Sequence, residues 1–161
     1  DTAQTGTSSG LGGAASYIVL GVQGGPFEGV KLGAKAQIDP ASFSIKRAGA
    51  AAQISFGEQT VGGDYVYVPA DAAVGTVADQ HEITGWISTP LPIDYWYANA
   101  SVSWDIAGNT WLRAAGELTY DDDYFSTSVY GAVTGPTHGS PNAISFGFQF
   151  KLRGPLGEFA L

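Results

Sequence analysis

The 161-residue sequence contains no cysteine, which excludes disulfides, thiolate chemistry and cysteine-ligated metals. Methionine is absent as well, and the first residue is Asp1; both fit a mature chain whose export segment has been removed. Charge is sparse, with seven Lys and Arg against fifteen Asp and Glu. The resulting net charge of −8 argues against nucleic acid as a partner, because that binding rests on neutralising phosphates with cations. No apolar run approaches the roughly 18 residues of a transmembrane helix, so a barrel of strands is the only way this chain crosses a bilayer. Helix-forming runs of Glu, Lys and Leu are also missing.

The signatures of catalysis and cofactor binding are missing in the same way. His81 and His138 stand alone in their neighbourhoods, with no paired-histidine spacing for a metal. His138 and Ser140 lack the nucleophile elbow of a hydrolase. Glu117 is the one carboxylate well inside a strand, without a second at glycosidase spacing. The glycines form neither a phosphate loop nor a dinucleotide fingerprint. Asp121, Asp122 and Asp123 are hard oxygen donors of the kind Ca²⁺ takes, but three adjacent Asp lack the spaced ligands of a calcium loop and fit a turn better. The expectation is a non-enzymatic protein with no metal and no cofactor.

What the chain does have is 23 glycines, 12% aromatic residues and strong two-residue periodicity, an all-β composition. The clearest stretch is 95–120, which reads as a β-hairpin. Trp96, Ala98, Ala100, Val102, Trp104 and Ile106 fall on one face; Tyr95, Tyr97, Asn99, Ser101, Ser103 and Asp105 fall on the other. After the Ala107-Gly108-Asn109 turn, Leu112, Ala114, Gly116, Leu118 and Tyr120 continue the apolar face. Trp111, Arg113, Ala115, Glu117 and Thr119 continue the polar one. Trp96 and Trp104 close the apolar row at its two ends, about 26 Å apart along the strand. A tilt near 40° projects that to about 20 Å, close to but below the ~25 Å apolar band of an outer-membrane barrel.

Further strands are expected at 16–23, 30–38, 43–57, 65–68, 81–89, 124–134 and 144–153. Within 43–57 the apolar phase changes, and Ala48-Gly49 is the expected slip. Residues 69–79 and 135–142 read as long loops. In the last strand Ile144, Phe146, Phe148, Phe150 and Leu152 alternate with Ser145, Gly147, Gln149, Lys151 and Arg153. This aromatic ladder resembles the closing strand of outer-membrane β-barrels, and the preceding hairpin resembles their alternation of small and aromatic residues. The resemblance covers residues 95–152 and is to that class of protein. Residues 154–161 lie beyond it, and nine strands depart from the even counts of bacterial single-chain barrels.

The resulting expectation is a flexible leader at 1–14, one antiparallel β domain at 15–153 and a tail at 154–161. The domain is expected to be an up-and-down β-barrel of about eight or nine strands, with a β-sandwich or jelly roll as the alternative. Three roles fit that fold. The first is an exported outer-membrane or cell-surface barrel, structural, adhesive or a narrow pore, whose interior is lined by Tyr95, Tyr97, Asn99, Ser101, Arg113, Glu117, Gln149 and Lys151. Its Trp96, Trp104, Phe146, Phe148 and Phe150 would meet membrane lipid or a neighbouring subunit. The second is an extracellular soluble sandwich or calyx that binds a small ligand or glycan. The third is a strand-exchanging surface or filament subunit using residues 1–14. One-sided alternation is common to all antiparallel sheets and does not choose among them.

Overall fold

A computed structural model describes residues 16–71, 76–136, 142–154 and 157–160. They form one antiparallel up-and-down sheet, each strand pairing with its chain neighbours. Nine long strands make up most of it: β1 (Ile18–Gly24), β2 (Val30–Ile38), β3 (Ile45–Phe56), β4 (Gln59–Val68), β5 (Gln80–Pro90), β6 (Trp96–Asp105), β7 (Thr110–Asp121), β8 (Phe125–Thr134) and β9 (Ala143–Gly154). A four-residue β10 (Gly157–Ala160) pairs with the end of β9, inside what the sequence presents as a tail. The leader at 1–14 lies outside the described residues, as do His138 and Ser140.

The all-β, antiparallel meander expected from the sequence is present, but the sheet is not closed. Among the described residues β1 pairs only with β2 and β10 only with β9. The described residues do not form the sandwich or jelly-roll alternative, because a sandwich needs two stacked sheets and they make one. With no second layer among the described residues, they build no conventional core. Ala132 is the only buried apolar side chain among the described residues.

Two bulges set the phase of the sheet. In the β2–β3 pair Gln37 faces Arg47 and Ile38 faces Ile45, leaving Lys46 as the extra residue. The phase change expected at Ala48-Gly49 therefore exists but falls at Lys46, where a 2.8 Å ion pair ties its Nζ to Asp71. In the hairpin, Ser103 faces Arg113 while Trp104 faces Trp111, so Leu112 is extra. The expected uninterrupted register is thus corrected: the bulge returns Trp111 to the side of Trp104. β4 is also longer than expected, because Gly62 and Gly63 lie within the strand and do not precede it.

The turns follow from their polar residues. Asp39 accepts the Ala41 backbone N–H at 2.9 Å and the Ser42 hydroxyl at 2.8 Å. These bonds, the Ala41 amide foremost, hold its carboxyl below the ordinary value of 3.8. Asn109 adopts φ 46° in the β6–β7 turn, the left-handed conformation that asparagine tolerates best after glycine. Tyr95 enters β6 at φ 69°, an uncommon conformation for a bulky side chain.

Candidate functional site

The candidate site is the sheet itself, whose two faces differ in polarity. Following the register across the strands, one row runs Gly24, Leu32, Ala52, Gly63, Gly85, Val102, Ala114, Val133, Ile144. The row displaced by one residue runs Gln23, Gly33, Ala51, Asp64, Thr84, Ser103, Arg113, Thr134, Ala143. Side chains of successive residues point to opposite faces. One face is therefore apolar across the sheet, and the other is predominantly polar or small.

Along the middle of β6 and at Ser128-Val129 of β8 the apolar face is the more exposed of the two. Within β6, Asn99, Ser101, Ser103 and Asp105 are half-buried, whereas Ala100, Val102 and Trp104 are exposed. On β8, Ser128 is 7% exposed and the adjacent Val129 59%. A flat single sheet would leave its two faces equally open, and the difference along these strands fits a sheet that curls around its polar face there. Hydroxyl pairs cross that concave side: Thr84 to Ser103 at 2.9 Å, Thr119 to Ser128 at 2.8 Å and Ser55 to Thr60 at 3.1 Å. They satisfy groups that partial burial would otherwise strand.

Seven of the eight expected interior residues lie on this polar face. Tyr97 and Gln149 fall in one row through Thr119 and Ser128, and Lys151 falls in the next. Glu117 stands opposite Asn99, whose Nδ2 donates to Oε2 at a long 3.5 Å. Ser101 and Arg113 lie nearer the Trp104 end of the same face. Tyr95 is the exception. Its positive φ breaks the alternation, and its ring lies 6.0 Å from Tyr120, on the side of Trp96.

The apolar face carries aromatic rings towards both ends. At one end Trp96 meets Tyr120 edge-on at 5.5 Å, Tyr120 meets Phe125 at 5.2 Å and Phe125 meets Phe150 at 5.7 Å. At the other, Trp104 pairs with Trp111, and Tyr67 and Tyr65 flank His81 at 5.0 and 6.1 Å. The Tyr65 hydroxyl and His81 Nδ1 share a 2.6 Å hydrogen bond. Between the belts the residues are small or aliphatic, apart from Phe146 at 85% and Phe148 at 65% exposure.

No protein family, curated protein or solved structure matches the chain.

Two aromatic residues on the polar face are not apparent from periodicity alone. Trp86 stands directly opposite Gly62, and Tyr130 opposite Gly147. In each pair the ring lies over the glycine, where a Cβ would collide with it. Placing an aromatic over a glycine shields backbone that a sheet otherwise leaves bare. The signal for these pairs is cross-strand register, which the sequence does not print.

Two members of the three-aspartate run, Asp121 and Asp122, are occupied by structural bonds. Asp122 Oδ1 accepts the backbone N–H groups of Tyr124 and Phe125 at 2.7 and 2.8 Å, and Oδ2 accepts the Tyr120 hydroxyl at 2.9 Å. Asp121 pairs with Arg153 at 2.7 Å. This is the turn role of aspartate. Among the described residues no cluster of three His, Asp or Glu is placed to hold a metal ion.

Proposed function

We propose that this chain forms the wall of a small outer-membrane-type β-barrel, with its apolar face against lipid and its polar face lining a narrow interior. The observation that carries the reading is the inverted burial: Val129 lies open while the neighbouring Ser128 is covered. Water penalises an exposed apolar expanse of this extent, whereas a bilayer accepts it and requires the backbone to be hydrogen-bonded internally. The aromatic belts support the same orientation, since membrane barrels carry such girdles at both interfaces. On this reading the chain is exported to the outer membrane and acts as a structural wall or narrow pore without catalysis.

The polar row Tyr97, Asn99, Ser101, Arg113, Glu117, Gln149 and Lys151 then faces inward, and the rings of Trp86 and Tyr130 narrow the space. The open edges of the sheet meet in the closed form, which removes the unpaired strand edges that invite aggregation.

Tryptophan quenching tests the reading. In chains folded into phospholipid vesicles, brominated lipid should quench Trp96 and Trp104 in single-tryptophan variants, and aqueous iodide should not. A chain that stays monomeric and folded at high concentration without detergent would overturn the proposal.

A further inference from the structure

We infer that the concave face over β1–β4 is a binding trough for a small polyhydroxylated carboxylate, a sugar acid in chemical class. The inference goes beyond the membrane proposal and does not depend on it, because it concerns the polar face whatever covers the apolar one. The trough is open on its solvent side and offers about 640 Å³, within the roughly 300–1,000 Å³ range of small-molecule sites.

Its floor exists because the residues there are too small to fill it. Gly21, Gly33, Gly49 and Ala51 occupy neighbouring register positions on β1, β2 and β3. Polar groups surround that floor: Lys31 and Lys35 along β2, Gln23 across on β1, Gln53 on β3 and Asp64 on β4. Lys35 lies across its partner strand, since a Cβ on Gly49 would come within 3.7 Å of its Cε. Trp86, held over Gly62, forms the far margin.

Each group has a part in selecting the ligand. Lys31 and Lys35 form no ion pair among the described residues, unlike Lys46 and Arg153. Two uncommitted ammonium groups on one concavity, in a chain of net charge −8, favour a carboxylate there. Gln23 and Gln53 both donate and accept, the chemistry that hydroxyl groups need. Asp64 accepts hydrogen bonds from hydroxyl groups and repels a carboxylate at its own end, which fixes the orientation. The face of Trp86 offers an apolar surface to the carbon-bound hydrogens of such a ligand. A bare inorganic anion would use the lysines and leave the amides, Asp64 and the indole unengaged.

The experiment is isothermal titration of the full chain with gluconate, sorbitol and inorganic phosphate, in whichever medium keeps it folded. Gluconate should bind at least tenfold more tightly than either of the others. The double variant Lys31→Gln, Lys35→Gln should lose at least tenfold in gluconate affinity, while Lys46→Gln, which removes a cation held by Asp71 outside the trough, should leave it unchanged. Circular dichroism would verify that each variant keeps its sheet. Gly33→Val, which fills the floor without touching a charge, should weaken gluconate by a similar factor. The inference is overturned if sorbitol or phosphate matches gluconate, or if the folded double variant binds normally. Failure to enter membranes would overturn only the barrel proposal.

Discussion

A Cβ placed on Gly62 would stand 2.5 Å from Cζ2 of Trp86 and 2.9 Å from the carbonyl oxygen of Ala52. The first neighbour is a rigid ring and the second is backbone of the next strand, so neither yields easily. Gly62→Ala should therefore push the indole off its seat and destabilise the fold by about 1–3 kcal/mol, the usual cost of overpacking. Gly21→Ala is the control, because its nearest neighbour, the Ala34 carbonyl oxygen, is 3.5 Å away. Urea unfolding followed by tryptophan emission should separate the two variants, with a shifted Trp86 spectrum in the first only.

The inverted faces make opposite demands on a new charge. Val102 is 50% exposed on the apolar face, and Ser101 beside it is half-buried on the polar face. In a lipid-facing barrel Val102→Lys should cost about 2–4 kcal/mol if it lies near the bilayer midplane. Ser101→Lys should be better tolerated, since it adds a charge to a face already lined by polar groups. A water-soluble sheet would give the reverse ranking. Reversible urea titrations of the chain in liposomes measure both.

Strands with uninterrupted alternation were legible in the sequence. The 30–38 stretch matches β2 (Val30–Ile38), and the Phe ladder matches β9 within a residue at each end. Alternation failed wherever one residue steps out of the pleat. The bulge at Lys46, the bulge that returns Trp111 to Trp104, and the positive φ of Tyr95 each moved a side chain to the face opposite its expected one or displaced the expected slip. The trough over β1–β4 was illegible for a different reason. Gly33 and Ala51 become one floor only when β2 and β3 are paired in register, and a chain read strand by strand does not contain that pairing. Nor does alternation decide which face is open, because lipid, a second sheet and a second subunit all favour the same pattern.

The proposed closure of the sheet gives a third test, in which β10 is central. In a meander, odd-numbered strands share one direction, so β1 and β9 run parallel while β10 runs antiparallel to β1. The register sets Phe159 opposite Leu152 and Glu158 opposite Arg153. Removing residues 155–161 should therefore abolish an antiparallel seam while leaving the central hairpins intact. On unheated gels in detergent, the full chain should migrate as a compact, heat-modifiable band and the truncated chain should not. A truncated chain that still gave the compact band would exclude β10 from the closing seam.

Acid should loosen the β7–β8 turn through Asp122. Its carboxyl titrates below the ordinary value of 3.8, chiefly because the ionised oxygen accepts the Phe125 amide, aided by the Tyr124 amide, the Tyr120 hydroxyl and the charge of Arg153. A carboxyl depressed by folding contributes stability in full above its unfolded value, and loses that contribution as pH falls through the lower folded value. Asp122→Asn preserves a carbonyl acceptor for the two amides but carries no charge and does not titrate. At neutral pH the wild-type chain should therefore melt at a higher temperature than Asp122→Asn, and the gap should narrow as the pH is lowered below about 4. A gap that stayed constant through that range would show that the charge of Asp122 adds nothing to the turn beyond the geometry of its hydrogen bonds.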